Sequence, residues 1–475
     1  MELRGKNVVL AGMGRSAVGA AKLLLARGAR PFVSDSNDGP SLDAHRTALD
    51  ALGVAYECGG HTLRRFEEAD LVVLSPGVPP AIAPVAQARA RGVPVLGELE
   101  LAWRFCQSRV LAVTGTNGKT TATELLRAMI AACGRSVALA GNNNTPLSLA
   151  VLENPPPEFI VLEVSSYQLE NVETFHPWVA AVLNLTPDHL GRHGTMEEYA
   201  AMKARIFAPQ TRGDAAVVNW DDPRTAAMPV PGGVRRMAFS LTDRIKDGCW
   251  ADGAIIRHGD EAVAALADNP LPSKMGTDTS RSKTRSLVSV PILPGRHNLA
   301  NVLAALTMMR AGGFDWEGVL AGLRQFRGVE HRIEHVVTCD GVDYYNDSKS
   351  TNVDSLRVAL ESFDRPVVLI AGGRGKGADY RVLRPLMRRM VKHMVTLGED
   401  APLLEAAFGD LAPAERAESM VAAVTRARAA ASPGDVVLLS PGCASFDMYA
   451  NFEERGRDFK QCVRTLLAAT KETPV

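Results

Sequence analysis

The chain has 475 residues, of which 46% are hydrophobic and 22% charged, and its 53 Lys plus Arg are matched by 53 Asp plus Glu. Such a length accommodates about three domains of roughly 150 residues each, with the make-up of an ordinary globular protein. A zero net charge lacks the basic surplus that a phosphate backbone selects, so no nucleic-acid partner is expected, although local basic pockets for small anions stay open.

Cys58, Cys106, Cys133, Cys249, Cys339, Cys443 and Cys462 are odd in number, scattered and free of any C-x-x-C pair. This argues against a disulfide framework or a zinc ribbon and for a reducing compartment. The opening Met1-Glu2-Leu3-Arg4-Gly5-Lys6-Asn7 leads straight into a strand-like run without a signal-peptide core. No apolar run approaches the roughly 18 residues of a membrane span. A cytoplasmic protein without membrane insertion is expected.

Taken in chain order, β-branched runs alternate with helical stretches, the pattern of parallel sheets with crossover helices. Strands are expected at Lys6 to Ala11, Pro31 to Ser34 and Asp70 to Leu74, with a helix from Val18 to Arg27. After Gly97 a helical stretch, Leu99 to Cys106, precedes further strands at Arg109 to Val113, Phe159 to Val164, Val179 to Asn184 and Ala215 to Asn219. The polar stretch Asp268 to Ser289 reads as an inserted loop. Helices Asn298 to Ala311 and Trp316 to Gln325 close this block, and strands Arg365 to Ala371, Met394 to Gly398 and Asp435 to Leu439 follow. The expectation is an α/β chain of three domains, 1–97, 98–327 and 328–475.

Gly12-Met13-Gly14-Arg15-Ser16-Ala17 fits G-x-G-x-x-G/A between a strand and a helix, with Asp35 at the next strand end. Glycines let the backbone turn close to a diphosphate whose charge faces the helix N-terminus. From these residues alone a dinucleotide domain serving a dehydrogenase and a plain tight turn both stay open. Gly115-Thr116-Asn117-Gly118-Lys119-Thr120-Thr121 is more specific. Its backbone amides can wrap phosphate oxygens, Lys119 supplies a cation, and the Thr120 hydroxyl can reach Mg²⁺. Val113 stands where a full phosphate loop has its first glycine.

Glu163 ends an apolar strand, where a carboxylate suits Mg²⁺. His189 closes Asn184-Leu185-Thr186-Pro187-Asp188-His189 at the same sheet edge. A lone histidine there is more often a surface residue, and only the nearby phosphate loop makes it a candidate ligand. Lys203 reads as a solvated helix lysine, since an ammonium has no lone pair for a metal. Gly372-Gly373-Arg374-Gly375-Lys376 looks like a second phosphate loop but lacks the following Ser or Thr, and a surface turn is the plain alternative.

Read together, GTNGKT, LEVSSYQLE at 162–170, NLTPDH at 184–189, GRHNLAN at 295–301, EHR at 330–332, NDSKSTN at 346–352 and LLSPGCASFDMYANFEERG at 438–456 resemble the Mur ligases. These are ATP-dependent amide-forming enzymes of peptidoglycan precursor synthesis. The resemblance covers the chain apart from 268–289. It implies an N-terminal Rossmann-like domain for a UDP-sugar, a central ATPase-like parallel sheet and a C-terminal Rossmann-like domain for the incoming amino acid. The implied ligands are ATP, two Mg²⁺ ions, UDP-N-acetylmuramoyl-L-alanine and D-glutamate, on a monomer.

By the same resemblance Gly12, Gly14, Arg15, Ser16, Asp35 and Gly77 face the uridine diphosphate, which displaces the dehydrogenase reading. Gly115 to Thr121 hold nucleotide phosphates. Thr120 and Glu163 fall on one Mg²⁺, and His189 and Lys203 on a second, with Lys203 matching a lysine that is carbamylated in the family. Asn142 matches a substrate contact, and Asn298, Asn301, Arg332 and Asp347 match positions engaged with ATP. Lys349, Thr351, Lys376, Ser445 and Phe452 surround the amino acid. The chain departs from the usual Gly-Asn-Ile-Gly at Gly141-Asn142-Asn143-Asn144, where an asparagine can still adopt left-handed geometry, and Gly191 replaces a common aspartate. A sibling ligase for another amino acid, a folate polyglutamylating enzyme and a catalytically silent nucleotide-sensing scaffold are the competing readings.

Overall fold

Val8 to Ala11 are buried at every position, and a strand hidden on both faces needs helices on both sides of its sheet. The computed structural model describes residues 1–142, 145–266, 288–290, 295–375 and 377–471 and shows that arrangement three times. It divides into two compact units, Met1–Pro291 with Ala300–Phe326, and Ile292–Leu299 with Arg327–Val475.

The first unit contains two sheets. One has five parallel strands in the order Tyr56–Glu57, Arg30–Ser34, Asn7–Ala11, Leu71–Leu74, Val95–Gly97. The winding reverses beside Asn7–Ala11, and such a reversal opens a crevice at the carboxyl ends of the strands. The other has ten strands. Its parallel part runs Val137–Gly141, Phe159–Glu163, Arg109–Thr114, Val179–Val182, Ala215–Asn219, Arg235–Ser240 and Gly248–Asp252. An antiparallel meander, Gly248–Asp252, Ile255–His258 and Glu261–Leu266, continues it. Strand Val288–Val290 closes that edge in parallel to Glu261–Leu266, so the expected loop ends before Val288 and its residues 268–287 lie outside the described part.

The second unit holds a six-stranded sheet in the order Glu334–Cys339, Val342–Asn346, Val436–Leu439, Val367–Gly372, Val391–Leu397, Ala414–Arg416. Only the Glu334–Cys339/Val342–Asn346 hairpin is antiparallel. Among the described residues no helix is long and apolar enough to cross a membrane.

Between the five-stranded and ten-stranded sheets lies Glu98, first residue of helix Glu98–Trp103 and 2% exposed. Its Oε1 accepts the Ser148 amide at 2.9 Å. Burial pushes the Glu98 carboxyl above the usual glutamate range, with Ser148 pulling the other way. The folded chain therefore holds a proton that the unfolded chain has released, and stability declines as pH rises from the ordinary glutamate value through the raised one. Glu98→Gln keeps an acceptor for Ser148 and has nothing to ionise. Thermal melting of this variant is expected to stay level across that pH window while the wild type falls, gaining about 2–4 °C per kcal/mol at the alkaline end. Parallel melting curves would remove the buried carboxyl from this role.

Candidate active site

At the crevice of the five-stranded sheet the chain turns sharply after Ala11. Gly12 has φ +89°, and a Cβ there would lie 2.6 Å from Val78 Cγ2, so no larger residue fits. Helix Arg15–Ala26 begins directly afterwards and presents its amino end. Asp35 fixes the turn through its Oδ2, which accepts the Met13 amide at 2.6 Å. Gly12, Gly14, Arg15, Ser16, Asp35, Gly77 and Asn142 all line one cavity of about 530 Å³. Gln168 and His61 join that lining, which the glycine motif alone does not disclose.

The second turn follows strand Arg109–Thr114. Gly118 takes φ +85° at the start of helix Lys119–Ala132, and a Cβ would meet Asn301 Oδ1 at 2.3 Å. Asn301 is thus packed onto the loop, and it is 3% exposed. Asn117 is braced by Asn184, whose carboxamide accepts the Asn117 amide at 2.9 Å and donates to its carbonyl at 3.1 Å. Lys119 Nζ donates to the Gly115 and Thr116 carbonyls at 3.0 and 2.9 Å. The Thr120 hydroxyl donates to Glu163 Oε2 at 2.9 Å, and Asn142 Nδ2 donates to Glu163 Oε1 at 3.2 Å. Thr120 and Glu163 are both buried, so a hydroxyl and a carboxylate face each other at the head of the phosphate loop.

Lys203 overturns its reading as a solvated helix lysine. It is 1% exposed, and its Nζ donates to the Gly115 carbonyl at 2.9 Å and to Thr114 Oγ1 at 3.4 Å. The cause is helix Met196–Ala204, fixed by a capping box in which Thr195 Oγ1 accepts the Glu198 amide and Glu198 accepts the Thr195 amide, both at 3.1 Å. Lys203 and Tyr199, four residues apart on one face, point inward together. Burial first, then the charge of Lys119, lowers the Lys203 amine to about 6.

His189 is exposed and left-handed, at φ 53°. It contacts Tyr167, whose hydroxyl lies 3.2 Å from His189 Nδ1. From there a run of neighbouring rings passes through Tyr167, His193 and Tyr199, with centroids 5.0, 5.6 and 5.4 Å apart, to Lys203 Nζ at 4.6 Å from the Tyr199 ring. The structure thus brings Lys203, Lys119, Thr120 and Glu163 to one loop and puts His189 at the far end of the ring run. Tyr199 is a residue the motifs did not disclose. Its hydroxyl lies 3.3 Å from Thr116 Oγ1, and its spacing of four from Lys203 was the available signal.

In the second unit Asp347 is 6% exposed and accepts the Ile333 amide at 3.2 Å and the Ser440 hydroxyl at 2.9 Å. Burial raises its carboxyl to about 7 against those bonds and the charge of Arg332. Lys349 Nζ sits 5.4 Å from the Phe452 ring. Ser445 is buried, Thr351 precedes helix Val353–Glu361, and Asn298 is buried at the start of its own helix. Lys376 lies outside the described residues, as do Asn143 and Asn144.

Arg455, which the sequence reading did not single out, ties these loops together. It is 2% exposed and donates to the Ser348 hydroxyl and carbonyl at 3.0 and 2.8 Å and to the Cys443 and Ala444 carbonyls at 3.1 and 3.3 Å. A planar guanidinium with five donors can satisfy several loop carbonyls at once. Glu330, His331 and Glu334 form one metal-competent cluster among the described residues. The Lys460 ammonium, 2.6 and 2.9 Å from the two glutamates, already offsets their charge.

The descriptions "Mur ligase MurD-like, N-terminal domain", "Mur ligase middle domain" and "Mur ligase, glutamate ligase domain" match residues 6–97, 113–309 and 331–443. Among curated relatives, the UDP-N-acetylmuramoylalanine–D-glutamate ligase of Salinibacter ruber is 46% identical over 98% of this chain and 99% of its own length. The ligase of the same name from Acidobacterium capsulatum is 42% identical over 98% and 97%. Among solved structures, the UDP-N-acetylmuramate-alanine ligase MurC of Thermotoga maritima superposes with a TM-score of 0.58 at 17% identity, over 97% of this chain and 100% of that one. The MurF ligase of the same organism, in complex with ADP, gives 0.57 at 17% identity over 98% and 96%. These two structures share the three-domain α/β fold. With full-length relatives above 40% identity, the chain belongs to the Mur ligase family.

Proposed function

We propose that the chain joins D-glutamate to UDP-N-acetylmuramoyl-L-alanine at the expense of ATP, the reaction for which its relatives are named. The observation that carries this reading is the meeting of Lys119, Thr120, Glu163 and Lys203 around one phosphate loop in a chain more than 40% identical to those relatives. A carboxylate resists amines because its carbon is electron-rich and oxide is a hopeless leaving group. One oxygen of the alanyl carboxylate attacks the γ-phosphorus, ADP departs, and an acyl phosphate forms. The amine of D-glutamate then adds to the acyl carbon, phosphate leaves with the C–O electron pair, and the nitrogen loses a proton.

The residues divide this work. The amides of Gly115 to Thr121 and the Lys119 ammonium would hold the phosphates, and the lysine would offset repulsion between triphosphate and carboxylate. Thr120 and Glu163 are hard oxygen donors 2.9 Å apart and fit Mg²⁺. Lys203 as an ammonium does not fit a metal. As the free amine that its burial favours, it can add CO₂ with loss of a proton, and the resulting carbamate fits. The resemblance has it share a second Mg²⁺ with His189, which stands at the far end of the ring run here and would have to approach Lys203 to do so. When bound, Mg²⁺ supplies positive charge to the phosphoryl oxygens. Gly12, Gly14, Arg15, Ser16, Asp35, Gly77 and Asn142 would seat the UDP-sugar. Asn298, Asn301, Arg332 and Asp347 would engage ATP. Lys349, Thr351, Lys376, Ser445 and Phe452 would seat the amino acid. The domains 1–97, 98–327 and 328–475 would each carry one ligand, in a cytoplasmic monomer.

Phosphate release with ATP, Mg²⁺ and UDP-N-acetylmuramoyl-L-alanine is expected with D-glutamate and with neither L-alanine, L-glutamate nor a diamino acid. Turnover with another amino acid would make the chain a sibling ligase, and no turnover with any would leave the scaffold reading.

A further inference from the structure

His61 lines the nucleotide-side cavity beside Asp35 and Ser36. The turn before it is held against that strand end, since the Gly59 amide donates to the Asn37 carbonyl at 3.1 Å and the Gly60 amide to the Asp35 carbonyl at 3.3 Å. Phe66 meets the imidazole edge-on, with centroids 5.6 Å apart. The ring is therefore positioned from two sides.

Its protonation pattern follows from its neighbours. Ser34 is fully buried, and its Oγ lies 2.7 Å from Glu57 Oε1 and 2.7 Å from His61 Nδ1. Burial pushes the Glu57 carboxyl up, but hydrogen bonds from Thr62 and Ser34 and the charge of Arg65 prevail and hold it below the usual range. Glu57 is thus a carboxylate, an acceptor only. Ser34 gives its one hydroxyl proton to Glu57 and offers His61 a lone pair. In the neutral ring Nδ1 then carries the proton, and Nε2 is left with a lone pair. Among the described residues nothing donates to Nε2. Asp35, the acid that such a fold turns toward a ribose, takes one backbone amide on each oxygen, from Met13 at 2.6 Å and Asn37 at 2.8 Å, and keeps a lone pair on each, so it and His61 Nε2 are both acceptors at this end of the cavity.

We propose that His61 Nε2 accepts a hydrogen bond from the uridine end of the nucleotide sugar, making His61 a specificity residue fixed by the Glu57–Ser34–His61 chain. The proposal rests on the reading of this cavity as the UDP-sugar site. Uridine offers such a donor in two places, the ribose hydroxyls and the N3–H of uracil.

Calorimetric titration of the full chain with UDP tests this. His61→Phe keeps the ring and its contact with Phe66 but deletes both nitrogens, and it is expected to weaken UDP binding about tenfold, the worth of one hydrogen bond, without lowering the melting temperature. Of 2′-deoxy-UDP, 3′-deoxy-UDP and N3-methyl-UDP, one is expected to bind the wild type about tenfold more weakly than UDP and to lose nothing against His61→Phe, which identifies the donor. If His61→Phe melts early, His61→Leu is read by the same criterion. Equal UDP affinity in wild type and variant, or analogue losses that are the same in both, overturns the role of His61 and leaves the site reading standing. A wild-type chain that does not bind UDP overturns both.

Discussion

Lys119→Ala is expected to lower kcat by about a thousandfold, or ~4 kcal/mol of transition-state stabilisation. The amine lies across the Gly115 and Thr116 carbonyls, at the centre of the loop that would receive the triphosphate. Alanine leaves the loop backbone braced by Asn184 and Asn301 while removing the ammonium next to it. The fold is therefore expected to survive, with unchanged melting and lost phosphate release. Retention of near-wild-type turnover would take Lys119 out of the chemistry.

Lys203→Ala is expected to cost a similar factor, with a different signature. Lys203 is buried on the loop, and its amine, lowered to about 6, is mostly uncharged at neutral pH. An uncharged amine reacts with CO₂ and an ammonium does not. The small cavity left by alanine can admit formate or acetate, each of which carries the carboxylate that the carbamate would present. Added short-chain carboxylates are expected to restore a tenth or so of the lost rate, read as initial phosphate release against carboxylate concentration. Absence of any rescue, with melting like that of the wild type, would count against the carbamate.

Much of the architecture was legible because parallel strands buried on both faces appear as uninterrupted apolar runs. Val110-Leu111-Ala112-Val113 and Ile160-Val161-Leu162 are such runs, and each ends where the chemistry begins. The meander over Gly248–Leu266 was not anticipated. Its strands are short and half exposed, and only Asp252-Gly253 and His258-Gly259-Asp260, with both glycines at positive φ, signalled its turns. Strand Val137–Gly141 was missed because its outer residues are half-buried and rich in alanine, a weak strand former.

The site divides along the same line. Turns that need glycine announce themselves, as at Gly12 and Gly118. Residues that act through tertiary position do not. Lys203 looks like any helix lysine until the capping box at Thr195 turns its face inward. Arg455 resembles a surface arginine until the loops at Ser348 and at Cys443–Ala444 close on it, and His61 sits in no phosphate motif at all. For Lys203 only the resemblance to a family supplied a role, and what the structure adds is the burial that lowers its amine.

The Gly115 carbonyl accepts from both Lys119 and Lys203. One peptide oxygen thus anchors a residue from helix Lys119–Ala132 and one from helix Met196–Ala204. A substitution at either lysine therefore alters the hydrogen bonding of a peptide unit that the other also holds, and the two side chains answer to each other through that shared atom.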